Sequence, residues 1–179
     1  IYFPLLVYFL LQALVSPPGF AALPPPSQHA RPVTATSAHW NYRVVERIDQ
    51  DRNLFTQGFL FDRNLLWISS GLYGRSRLVA LNQHNTAIAD IVLPRNVFGE
   101  GMAIVNDKIL VLTWREHRVL RYDLETRNPL PDLHYSGECW GLTYNGTNLI
   151  RSDGSAKLYF HDVSDFSVVK TLNVTRNGN

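Results

Sequence analysis

Gln57-Gly58-Phe59-Leu60-Phe61 leads to Leu66-Trp67-Ile68-Ser69-Ser70, and the same pattern returns twice. Glu100-Gly101-Met102-Ala103-Ile104 leads to Leu110-Val111-Leu112-Thr113-Trp114, and Trp140-Gly141-Leu142-Thr143-Tyr144 leads to Leu149-Ile150-Arg151-Ser152-Asp153. The three glycines are 43 and then 40 residues apart. Between the paired runs stand Asp62-Arg63-Asn64, Asn106-Asp107 and Asn145-Gly146, residues that favour tight hairpin turns. A third run follows in each repeat: Arg77 to Leu81, Arg118 to Tyr122 and Lys157 to His161. A fourth covers Ala87 to Leu93, Pro129 to Tyr135 and Val168 to Val174.

Four short strands in each forty-odd residues describe a β-propeller blade. A β-sandwich also has short strands and frequent turns, but nothing in it requires self-similarity at this period. The expected fold class is therefore all-β, a β-propeller. Tyr42 to Ile48 reads as a leading strand that completes another blade. Propellers close with at least four blades, and the next Glu/Gln-Gly strand is due where the sequence stops. The reading is of three to three and a half blades of a truncated chain.

Ile1 to Val15 are nearly all apolar and precede Ser16-Pro17-Pro18-Gly19-Phe20-Ala21-Ala22. Such a stretch falls short of the roughly 18–20 apolar residues of a membrane span, and it reads as a signal peptide's apolar and cleavage regions in preference to an uncleaved anchor. Residues 1–22 are read as an N-terminally incomplete signal peptide, since residue 1 is Ile, and 23–39 as a disordered Pro/Ala/Ser-rich linker. The domain proper is expected over 40–179, exported to a periplasmic or secreted location without stable membrane insertion.

A net charge of +2 with no block of Lys or Arg gives no reason to expect nucleic acid. Cys139 is the single cysteine, so the fold has no disulfide framework and the residue is expected to be small, buried packing. Six His lack ligand spacing, which with one Cys leaves no zinc cluster to expect. Asn145-Gly146-Thr147 and Asn173-Val174-Thr175 match the glycosylation sequon, which matters only in a eukaryotic host.

A blade's first strand lines the central channel, so equivalent residues of different blades form rings. Gln57, Glu100 and Trp140 fall in one ring, and the second strands end beside them at Ser69/Ser70, Thr113/Trp114 and Ser152/Asp153. An amide, a carboxylate and indoles thus converge on one mouth. Structural roles compete: Gln57 bonding an inter-blade loop, Glu100 and Glu138 tying blades through backbone N–H groups, Trp114 and Trp140 acting as wedges.

Six motifs, in order, carry a family likeness: Phe55-Thr56-Gln57-Gly58, Ser69-Ser70-Gly71-Leu72-Tyr73-Gly74-Arg75-Ser76, Phe98-Gly99-Glu100-Gly101, Leu112-Thr113-Trp114, Gly137-Glu138-Cys139-Trp140-Gly141-Leu142-Thr143 and Ser152-Asp153-Gly154-Ser155. From about Tyr42 to Val174 the chain resembles the plant and bacterial glutaminyl cyclases. The resemblance implies a five-bladed monomeric propeller that converts an N-terminal glutamine of a peptide or protein to pyroglutamate and releases ammonia, with no cofactor. It implies that Gln57 contacts the substrate amide and that Trp114 and Trp140 wall the pocket. The family's expected acid/base is a Glu directly before the Ser-Ser/Thr-Gly-Leu-Tyr-Gly run, and here that position is Ile68. Glu100 and Glu138 are the remaining carboxylate candidates, and Cys139 replaces the usual Gly beside Trp140. Two functions follow: a cyclase impaired at Ile68, or a non-catalytic exported propeller that binds a peptide or partner protein at the channel mouth.

Overall fold

The computed structural model describes residues 41–45 and 47–176, and the segments read as signal and linker lie outside them. Twelve strands make three four-stranded antiparallel sheets, each a simple meander. Blade 1 holds β1 (Thr56–Asp62), β2 (Leu65–Ser70), β3 (Arg77–Leu81) and β4 (Ala87–Val92). Blade 2 holds β5 (Gly99–Val105), β6 (Lys108–Thr113), β7 (Arg118–Asp123) and β8 (Pro129–His134). Blade 3 holds β9 (Leu142–Tyr144), β10 (Leu149–Ser152), β11 (Lys157–His161) and β12 (Val168–Asn173).

The turn residues act as their chemistry requires. Arg63 and Asn64, then Asn106 and Asp107, all have positive φ, the two-residue geometry that matches the twist of a β-hairpin. At the far end of each third strand an Asx side chain caps the next turn. Asn82 accepts from the N–H of His84, Asp123 from that of Thr126 and Asp162 from that of Ser164.

Two cores form, one on each face of blade 2. Ile109 and Val111 of β6 point into the first with Trp67, Leu78 and Leu120. Leu110 and Leu112 point into the second with Leu142, Leu149 and Phe166. The strand alternates between two buried faces, which is why its sequence is continuously apolar. Leu112 is fully buried. Leu112→Ala is expected to cost about 2–5 kcal/mol of stability, read by chemical denaturation, because neither blade can collapse into the gap.

Inner strands approach closely across blades. A Cβ on Gly58 would lie 2.9 Å from the backbone nitrogen of Met102, and one on Gly101 would lie 2.5 Å from that of Leu142. Glycine at these two places is therefore a packing requirement.

Two expectations need correction. Residues 41–45 and 47–50 form no strand. Each of the three sheets has four strands, none of them from this stretch. The segment that follows is held to blade 1 instead: Asn85 Nδ2 donates to the Asp49 carbonyl at 2.8 Å, and the Gly71 N–H donates to the Phe55 carbonyl at 2.9 Å. The described residues thus contain three blades, within the expected three to three and a half, and the leading strand is what is not formed. Trp140 and Gly141 also precede β9 rather than belonging to it. The carbonyl of Trp140 is taken by the N–H of Gly101 in the neighbouring blade, at 2.7 Å.

Candidate active site

The three first strands begin, and the three second strands end, at one mouth. The ladder is irregular there in each blade. In blade 1 the register shifts between Thr56 and Gly58, leaving Gln57 in a bulge. In blade 2 it shifts between Gly99 and Met102, across Glu100 and Gly101. In blade 3 Trp140 reaches β10 only through its N–H, which donates to the Ser152 carbonyl at 2.9 Å. Gln57, Glu100 and Trp140 all stand where pairing is broken, the usual way a sheet re-aims a side chain.

Aromatic rings line the entrance. Phe98 meets Phe55, Tyr73 and Trp114 edge-on, with centroids 6.2, 5.6 and 5.7 Å away. Glu116 fixes this group by accepting from the Tyr73 hydroxyl at 2.7 Å and from the Phe98 N–H at 3.3 Å. Backbone bonds carry the chain across blades: the Trp114 N–H donates to Phe98, and the Cys139 N–H to Trp114.

Glu138 joins the two predicted tryptophans. Its Oε2 accepts from Trp114 Nε1 at 2.9 Å and from Trp140 Nε1 at 3.4 Å, while Oε1 accepts from Arg115 Nε at 3.1 Å. The Arg115 guanidinium also lies 3.8 Å above the Trp114 ring centre. The bond from Trp114, with those from Trp140 and Arg115, holds the Glu138 carboxyl below its ordinary range. Glu138 is therefore an ionised anchor, and Trp140, 45% exposed, is the open wall of the mouth. Its ring edge lies against Gly154, where an added Cβ would come within 2.7 Å.

Glu100 is different. Its residue is only 8% exposed, and its carboxyl accepts no hydrogen bond among the described residues. Burial, followed by the negative charges of Glu116 and Glu138, pushes it up to about 8. The two carboxyl groups of this mouth are thus shifted in opposite directions by their surroundings. The blade-tying role does not fall to either carboxylate through backbone N–H groups. It is the Glu100 carbonyl that ties blades, accepting from the buried Ser69 hydroxyl.

Ile68 is 1% exposed in the middle of β2, paired with Phe59 and Val79. Its neighbours Trp67 and Ser69 face blade 2, so Ile68 faces the opposite side of blade 1. Gln57 is half-buried at the start of β1. Cys139 is fully buried, and burial pushes its thiol up to about 11, which leaves it a protonated packing residue. The structure thus groups Glu100, Trp114, Glu138 and Trp140 and puts Ile68 on another face. Sequence reasoning missed Glu116 and Arg115, which have no counterpart in the other repeats, and it gave Phe98 and Tyr73 no part in the mouth.

The profile of the glutamine cyclotransferase family matches residues 19–179, most of the chain. The chain belongs to the glutamine cyclotransferase family. Among members of this transferase family, it is 32% identical over 139 residues to the glutaminyl-peptide cyclotransferase of Arabidopsis thaliana, covering 75% of this chain and 43% of that protein. It also superposes on the crystal structure of Myxococcus xanthus glutaminyl cyclase with a TM-score of 0.62 at 31% identity, over 69% of this chain and 52% of that one. The cyclotransferase-family chain therefore spans about half the length of these relatives or less. The WD40 domain of Neurospora crassa Pan2, at 14% identity and a TM-score of 0.55, shares the propeller fold alone.

Proposed function

We propose that this protein is a glutaminyl-peptide cyclotransferase that turns the N-terminal glutamine of a peptide or protein into pyroglutamate. The observation that carries the reading is the mouth itself, where two indoles share one Glu138 oxygen beside a buried Glu100 that stays protonated at neutral pH. The neutral α-amine attacks the δ-carbon of its own side chain, forming the ring C–N bond. The tetrahedral intermediate then expels the amide nitrogen as ammonia. Glu100 delivers a proton to that leaving nitrogen and recovers one from the attacking amine, so no net proton is consumed. Gln57 contacts the substrate amide from its bulge. Trp114 and Trp140 hold the flexible side chain in its cyclising geometry, a large part of the catalysis when no covalent intermediate is needed.

Ile68 supplies no proton, so Glu100 carries the step alone and turnover is slow. The protein is itself exported and acts as a monomer on peptides or proteins with an N-terminal glutamine, with residues 1–22 as signal peptide, 23–39 as linker, and a periplasmic or secreted location. Nucleic acid and stable membrane insertion have no part in it. A second reading, a propeller that only binds peptides at the same mouth, draws support from the buried, apolar Ile68.

Trp140→Ala separates wall from scaffold. The exposed indole contributes to substrate contact more than to the core, so KM for a Gln-initiated dipeptide is expected to rise about tenfold with a smaller change in kcat. An unchanged KM, with only the melting temperature lowered, would make Trp140 an inter-blade wedge. Saturable binding of the dipeptide with no ammonia from any variant would favour the binding reading.

A further inference from the structure

Arg151 is an unusual group to find in the second core. It is 4% exposed, and among the described residues no carboxylate forms an ion pair with it. A buried cation without a counter-ion is costly unless its N–H groups are used well. They are. Nη1 donates to the Glu138 carbonyl at 2.8 Å and lies 3.3 Å from Cys139 Sγ. Nε donates to His161 Nε2 at 3.1 Å. His161 must therefore carry its proton on Nδ1, and that atom donates to the Phe166 carbonyl at 2.7 Å. The guanidinium is 4.2 Å above the Tyr159 ring centre, which gives the charge an aromatic face in place of a carboxylate.

The peptide that Arg151 grips is the one that matters at the mouth. The Glu138–Cys139 unit is held on its carbonyl side by Arg151 and on its N–H side by the Trp114 carbonyl, at 3.2 Å. That plane sets where the Glu138 carboxyl goes, and the carboxyl in turn receives both indoles. We propose that Arg151, backed by His161, is a positioning residue that aims Glu138 and so fixes the distance between Trp114 and Trp140. It touches no substrate. Its bearing on turnover rests on the cyclase reading, whereas its effect on the indoles does not.

Arg151→Met keeps the side-chain bulk and removes every donor. In the intact protein, the indole N–H resonances of Trp114 and Trp140, identified with Trp114→Phe and Trp140→Phe, are expected to move away from their hydrogen-bonded positions. Their exchange with solvent is expected to quicken about tenfold, while that of buried Trp67 stays as it was. Glu138→Gln is expected to reproduce the same shifts. If Arg151→Met does not fold, His161→Phe is read instead, with a smaller shift of the same two resonances and Trp67 again unmoved. Indole resonances that stay in place in the folded variant overturn the proposal, as does a uniform change that includes Trp67. The measurement needs no substrate, so it succeeds or fails whether or not the protein cyclises glutamine.

Discussion

On the family resemblance, Ile68→Glu is expected to raise the rate of ammonia release from a Gln-initiated dipeptide by on the order of 100-fold, the range a proton donor contributes, although position 68 faces the side of blade 1 away from blade 2. The chain belongs to the glutamine cyclotransferase family. The resemblance implies a carboxylate directly before Ser69-Ser70-Gly71-Leu72-Tyr73-Gly74, where this sequence has isoleucine. The gain has a structural cost. Position 68 is 1% exposed between Phe59 and Val79, so the new carboxyl enters apolar surroundings and folds protonated. The variant should therefore be less stable than the natural chain, and increasingly so as pH rises. Ile68→Gln, which brings similar bulk without an acid, is the matching control and should show the loss of stability without the gain in rate. A folded Ile68→Glu protein no faster than the natural one would mean that position 68 carries no proton in this protein.

The second large effect concerns Glu100. Glu100→Gln is expected to lower the residual turnover by about 100-fold and, against the usual trend, to stabilise the protein in alkali. The sign follows from the raised value. In the folded chain Glu100 keeps its proton to about pH 8, whereas unfolding returns it to the ordinary carboxylate value of 4.5. Its contribution to stability is complete below that lower value. It erodes as the unfolded chain begins to ionise, and it is lost as pH rises through 8. Glutamine does not titrate, so the variant's stability should be flatter between these limits, and its advantage largest above pH 8. A carboxylate serving only to tie blades would behave in the opposite way, with Glu100→Gln destabilising at every pH. The carbonyl of Glu100, which takes the Ser69 hydroxyl, is untouched by the substitution.

These two residues also mark where sequence reading succeeded and where it ran short. The blades were legible because hairpin chemistry is local: Arg63-Asn64 and Asn106-Asp107 adopt the positive φ that their turn demands. The equivalent places of Gln57, Glu100 and Trp140 at the entry to each blade were legible from the repeat alone. Their physical basis, a break in the ladder at each position, needed the register of paired strands. Tyr42 to Ile48 read as a leading strand, but its described residues pair with no sheet, and pairing is not a local property. The environment of Glu100 was out of reach because it depends first on burial and then on Glu116 and Glu138, which come from the loops after β6 and β8. Arg151 read as an ordinary strand residue, since its partners, Glu138, Cys139 and His161, come together only when the third blade folds.

The most direct test is the pH dependence of ammonia release from a Gln-initiated dipeptide, measured on the natural protein and on Glu100→Gln. The expected profile rises as the substrate amine loses its proton, near the ordinary value of about 7.7–8.0. It then falls through pH 8 as Glu100 ionises and can no longer protonate the leaving nitrogen. In Glu100→Gln the rate should be low throughout and the alkaline fall absent. A variant that keeps the full rate and the same alkaline fall would contradict the assignment of Glu100 as the proton shuttle of this mouth.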